Sequence, residues 1–141
     1  MYLKKINLKN KVALVTGAGK GIGRACSIAL AEAGATIIGI SRTASDLDKL
    51  QKDIKKVKGK LVKITCDIMD YEDFSSKLKK IKKVDILVNN AGTNIPEPFE
   101  KIKQTSMNYL VDLNIKAAFN VAHLVALKMI KNKTKAGSII N

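Results

Sequence analysis

Four glycines fall within the nine residues from Val15 to Gly23 (VTGAGKGIG), and a lysine sits among them. They follow the apolar run Val12 to Val15 directly. A turn with so few side chains, set between a strand and a helix, offers an anion the unpaired amides and partial positive charge of the helix N-terminus. Gly17 lets the chain leave the strand, while Gly21 and Gly23 let the backbone approach a pyrophosphate and the helix pack on the strand. The spacing is Gly17-x-x-x-Gly21-x-Gly23. It is not GxGxxG, which would need glycine at Ile22 or Arg24, nor a Walker loop, since no Gly-Lys-Ser/Thr follows a four-residue gap.

A second position carries chemistry about twenty residues further on. In dinucleotide sites an acid there hydrogen-bonds a ribose 2′-hydroxyl and repels a 2′-phosphate. This chain has Ser41 and Arg42 instead. A serine hydroxyl donates to a phosphate oxygen, a guanidinium forks onto it, and Lys20 adds a cation from the glycine turn. NADP is therefore expected rather than NAD.

The elements that must position these residues alternate. Val12 to Thr16, Ala35 to Ile40, Leu61 to Thr65, Val84 to Val88 and Gly137 to Asn141 read as strands, the first two without polar alternation, as in strands buried on both faces. Between them Ile22 to Ala33, Ser45 to Lys58, Tyr71 to Ile81 and Ser106 to Lys131 have helical apolar spacing. Gly34 is a C-terminal stop for the first helix. Five strands alternating with four helices imply an open parallel sheet covered on both faces, with ligands at the carboxyl ends of the strands where the winding reverses. The glycine turn lies at such an end.

Composition narrows the function classes. The 141 residues, 46% hydrophobic, suit one globular domain with its own core. Asn120 and His123 break the longest apolar stretch, so no membrane span is expected. The start, MYLKKINLKNK, lacks the apolar core of a secretory signal, and a cytoplasmic location is expected. Cys26 and Cys66 match no metal spacing and read as reduced packing residues; no metal site is expected. The net charge of +14 comes from 26 basic residues, all lysine except Arg24 and Arg42. Scattered lysines with few aromatics read as a solvated surface rather than a nucleic-acid face.

Thr16-Gly17-Ala18-Gly19-Lys20-Gly21-Ile22-Gly23 resembles the cofactor motif of the short-chain dehydrogenases/reductases. Asn89-Asn90-Ala91-Gly92, after the fourth strand, is similar to that family's second marker. Asp67-Ile68 resembles its adenine-contacting pair, and Asn114 falls where it places a catalytic asparagine. The texture is most similar to 3-oxoacyl-(acyl-carrier-protein) reductases and small sugar or polyol dehydrogenases. The resemblance implies a Rossmann-type three-layer α/β/α fold, a doubly wound sheet cut short at about five strands. It also implies hydride transfer between NADP(H) and a small carbonyl or alcohol substrate. Gly17, Ala18, Gly19, Lys20, Gly21, Ile22, Gly23, Ser41, Arg42, Asp67, Ile68, Asn90, Ala91 and Gly92 would bind the cofactor. Asn114 would open its helix locally and hold a water of the proton relay.

Bottom-up, Asp67 could equally cap a helix in competition with Asp70, and one of Asn89 and Asn90 is expected to bridge loops. Asn114 interrupts an apolar pattern, so a buried amide with partners is expected there. His123 is expected on a helix surface or in packing.

In the family the acid is a tyrosine with a lysine four residues on, and a serine aligns the substrate. Four residues after Tyr2, Tyr71 and Tyr109 come Ile6, Ser75 and Leu113. Residues 1–141 are therefore expected to be the NADP-binding portion, without the catalytic portion and inactive alone. Homo-oligomerisation is expected of the full-length protein and not carried over to this chain. The competing reading is a non-catalytic NADP(H)-binding module or partner subunit.

Overall fold

Apolar strands alternating with amphipathic helices fold into three layers. The computed structural model describes residues 6–141; Tyr2 and the first basic residues lie outside them. The order is β1 (Val12–Thr16), α1 (Gly21–Glu32), β2 (Thr36–Ser41), α2 (Ala44–Lys56), β3 (Lys60–Thr65), α3 (Tyr71–Lys80) and β4 (Ile86–Val88). Then follow α4 (Gln104–Val111), a π-helical segment (Asp112–Ala117), α5 (Ala118–Lys131) and β5 (Ser138–Ile140). The sheet runs β3-β2-β1-β4-β5, and every pair is parallel. Fold class and strand count are those expected from the sequence.

Side-chain alternation along the central strands builds two cores. Ala13 and Val15 of β1 point to one face with Ile37, Leu47, Leu50 and Ile54, against α1 and α2. Leu14 points to the other with Ile38, Phe74, Leu87, Val121 and Val125, against α3 and α5. Each fully buried leucine or phenylalanine contributes about 1.5–3 kcal/mol relative to exposure, so a β1 without polar residues is what a doubly covered strand requires. Gly34, at φ +102°, ends α1 as its position suggested: its amide reaches the Ala31 carbonyl and that of Ala35 the Leu30 carbonyl.

The edges differ from the centre. β3 has only Leu61 and Ile64 partly covered, with Val62 half exposed and Lys63 reaching Asp48 on α2 at 2.6 Å, as befits a strand paired on one side only. β5 is exposed throughout. β4 begins two residues later than its apolar run, because Asp85 replaces a ladder partner with its side chain. Its carboxylate accepts from the Val12 amide at 2.8 Å and pairs with Lys83 and Lys11.

The long helix starts at Gln104, two residues earlier than its spacing indicated, and a π segment over Asp112–Ala117 interrupts it around Asn114. By length and composition the 28 residues Gln104–Lys131 could cross a membrane. Leu113, Ala117, Val121, Val125 and Met129 instead face the core, while Ile115, Phe119 and Ile130 stand exposed on the other side. His123 is exposed and stacks on Phe119, the surface role expected of it.

Both cysteines are free, and Cys66 is buried at the end of β3. Burial first, and the neighbouring Asp73 carboxylate second, push the Cys66 thiol up to about 12 from the usual 9.0. The folded state thus prefers the protonated thiol. Its contribution to stability is complete below 9.0 and disappears as pH rises from there through about 12. Iodoacetamide at about pH 8 should leave Cys66 unmodified in the folded chain and alkylate it in denaturant. Mass mapping that found equal labelling in both states would contradict this.

Candidate functional site

β1 stands where the winding reverses: the chain passes outward through β2 and β3, then returns to the other side of β1 for β4 and β5. A cleft of about 590 Å³ opens there, beyond the carboxyl ends of the strands. Every candidate residue named from the sequence lines it except Ala18, Gly23 and Asn114. A hollow of about 600 Å³ against the sheet face beside the end of α3 has an apolar floor, including Val12, Ile38 and Val62, rimmed by lysines. Three of those lysines are occupied by protein oxygens: Lys63 by Asp48, Lys77 by Thr65 and Asp73, and Lys83 by Asp85. It carries no constellation for chemistry.

Two glycines of the turn act differently. Gly23 is buried in α1, and a Cβ on it would lie 2.4 Å from the Gly17 carbonyl oxygen and 2.5 Å from Asn90 Nδ2. It is a packing glycine that brings α1 against the turn. Gly21 has φ +51°, and nothing lies within 4 Å of where its Cβ would stand, so it faces open cleft. Of the two, Gly23 thus serves close packing, and only Gly21 leaves the backbone open to the cleft.

The first turn of α1 has no capping side chain: Lys20, at its N-cap, is extended and makes no cap hydrogen bond, and no acid follows. Its leading amides therefore lack a side-chain acceptor beside the Gly21 opening. The arrangement fits an anion.

The second loop is sewn to the first by one side chain. Thr16 Oγ1 accepts from the amides of both Asn90 and Ala91 at 3.0 Å, and Asn90 Nδ2 donates to the Thr16 carbonyl at 3.0 Å. Asn89 Nδ2 donates to the carbonyl of Ala118 and to Asn141 Oδ1. Asn89 Oδ1 is buried with no partner among the described residues. Both asparagines bridge, where the sequence argued for one.

Asn114 departs from expectation. It is exposed, not buried, because the π segment turns it outward at the cleft rim. It has found partners nevertheless: its Oδ1 accepts from the Thr93 amide at 3.0 Å and its Nδ2 donates to the Thr93 carbonyl at 2.8 Å. It clamps the loop that follows Gly92.

At the far end of the cleft, Ser41 Oγ accepts from the Thr43 amide, which leaves its hydroxyl proton free to donate. Arg42 is exposed, and its Nη1 donates to the Tyr109 hydroxyl at 3.1 Å. Asp70 caps α3 by accepting from Asp73, which releases Asp67 from that role. Asp67 Oδ1 accepts from the Met69 amide instead, and this local turn holds its carboxylate at the cleft.

Several cleft residues escaped sequence reasoning. Cys66 and Leu113 line it, as does Asp46. Asp46 is buried against the glycine turn, with Lys20 at 3.2 Å and Lys49 at 3.8 Å. Its place in the first turn of α2, where helix polarity favours an acid, was the available signal. No group of three metal-ligating side chains occurs among the described residues.

The family model described as short chain dehydrogenase matches residues 11–141. The chain belongs to the short-chain dehydrogenase family. It is 36% identical over 136 residues to an L-xylulose reductase of Mesocricetus auratus, covering 96% of this chain and 54% of that protein. To a 3-oxoacyl-(acyl-carrier-protein) reductase of Thermotoga maritima it is 32% identical over 140 residues, covering 96% and 56%. A crystal structure of NAD+-bound xylitol dehydrogenase superposes with TM-score 0.88 at 28% identity, covering 94% of this chain and 52% of that one. A metagenomic short-chain oxidoreductase in complex with NADP superposes with TM-score 0.85 at 30% identity, covering 95% and 62%. The chain thus spans little more than half the length of the curated short-chain dehydrogenase relatives it matches.

Proposed function

We propose that these residues form the cofactor-binding part of an NADP(H)-dependent oxidoreductase acting on a small carbonyl or alcohol substrate. One observation carries the reading: the uncapped start of α1 opens through Gly21 onto a cleft whose far end presents Ser41 and Arg42, not an acid. Bound there, the nicotinamide would accept or donate the hydride. The chain's own residues do the rest. The α1 amides take the pyrophosphate, and Asp67 and Ile68 flank the adenine. Ser41 and Arg42 take the 2′-phosphate, while Ala91 and Gly92 pass the backbone close to the ribose. Asn114 supports the proton relay from the rim. Relatives with bound NAD and with bound NADP both occur, so preference rests on Ser41 and Arg42.

The hydride needs a proton to travel with it. No tyrosine here has a lysine four residues on, so the acid must come from outside these residues, and the chain alone is expected to be inactive. The same observation supports the second reading, a module that holds NADP(H) without turnover. Both readings require binding. Fluorescence titration with NADPH should saturate, and 2′-phosphorylated adenosine should displace it; a chain that ignored NADPH would overturn both.

A further inference from the structure

We infer that Tyr109 is a specificity-determining positioning residue of this cleft, holding the Arg42 guanidinium where a 2′-phosphate would dock. The inference rests on the NADP(H) reading and adds a residue to it. Tyr109 comes from α4, 67 residues from Arg42 in sequence. Its ring packs half-buried against the core cluster of Leu14, Phe74 and Leu113, and its hydroxyl is the polar tip left for Arg42.

The identity of the partner matters. The other cations near the glycine turn are neutralised: Lys20 by Asp46 and Arg24 by Asp53. Arg42 forms no ion pair among the described residues, and its anchor is a neutral phenol. A hydroxyl fixes the guanidinium without quenching its charge, whereas a carboxylate in the same place would compete with the ligand. One donor is spent, and the remaining donors are free to fork onto phosphate oxygens. An exposed arginine otherwise gives up rotamer freedom on binding; Tyr109 removes much of that loss beforehand.

The test is a set of fluorescence titrations with NADPH and with NADH on the wild-type chain, Tyr109→Phe, Arg42→Ala and the double variant. Phenylalanine keeps the ring and its packing, and a thermal melt checks that it does. Tyr109→Phe should weaken NADPH binding about three- to tenfold and change NADH binding less than about twofold. In the Arg42→Ala background it should do nothing further to NADPH. Equal weakening of both nucleotides, or an undiminished effect without Arg42, would show a merely structural tyrosine and overturn the inference. If Arg42→Ala collapses the preference and Tyr109→Phe leaves it intact, the inference alone falls. If the wild type does not prefer NADPH, or Arg42→Ala leaves the preference unchanged, the NADP(H) reading falls and takes the inference with it.

Discussion

Arg42→Asp should turn the chain from an NADPH binder into an NADH binder, moving the ratio of the two dissociation constants by about 100-fold or more. Two effects add. A charge-assisted fork to the 2′-phosphate is lost, worth about 1.5–3 kcal/mol, and a carboxylate now repels that phosphate while accepting from a 2′-hydroxyl. The fold should tolerate the change, because Arg42 is exposed and its single side-chain partner among the described residues is the Tyr109 hydroxyl. Titration with both nucleotides measures the result. An unchanged ratio would remove the 2′-phosphate seat from this end of the cleft, and the NADP(H) reading with it.

Gly21→Val should abolish binding of either nucleotide while leaving a folded chain. At φ +51° an L side chain costs about 1–2 kcal/mol, which lowers the melting temperature by several degrees without unfolding the domain. No protein atom lies within 4 Å of the new Cβ, so the side chain starts out into the open cleft. There it blocks close approach to the α1 amides, and affinity should fall by more than about 100-fold. Circular dichroism confirms the fold, and fluorescence titration reads the binding. Normal affinity in the variant would remove the pyrophosphate seat from this turn.

These variants act at residues that could be named without coordinates, and the reason is local. The glycine turn, the Ser41-Arg42 step and the doubly apolar β1 each express a constraint written in a few consecutive residues. The parallel pairing of the strands followed as well, since parallel neighbours need helical crossovers and the helices were spaced to provide them. What stayed hidden depends on contacts between distant segments. Asp46 could not be joined to the site because the glycine turn that buries it is more than twenty residues upstream. Tyr109 meets Arg42 only after α4 folds across the sheet. Asn114 was expected inside because its neighbours are apolar; a change of helical pitch over Asp112–Ala117, invisible to apolar periodicity, carries it outward.

Thr16 carries a practical lesson for anyone who would transplant this loop system. One hydroxyl oxygen serves amides from a segment more than seventy positions downstream, and an amide of that segment returns the grip on its carbonyl. The two segments are a single mechanical part divided in the gene. A chimera that imports the early piece while keeping a foreign later one would inherit mismatched halves, so Thr16 and Asn90 should be exchanged as a set.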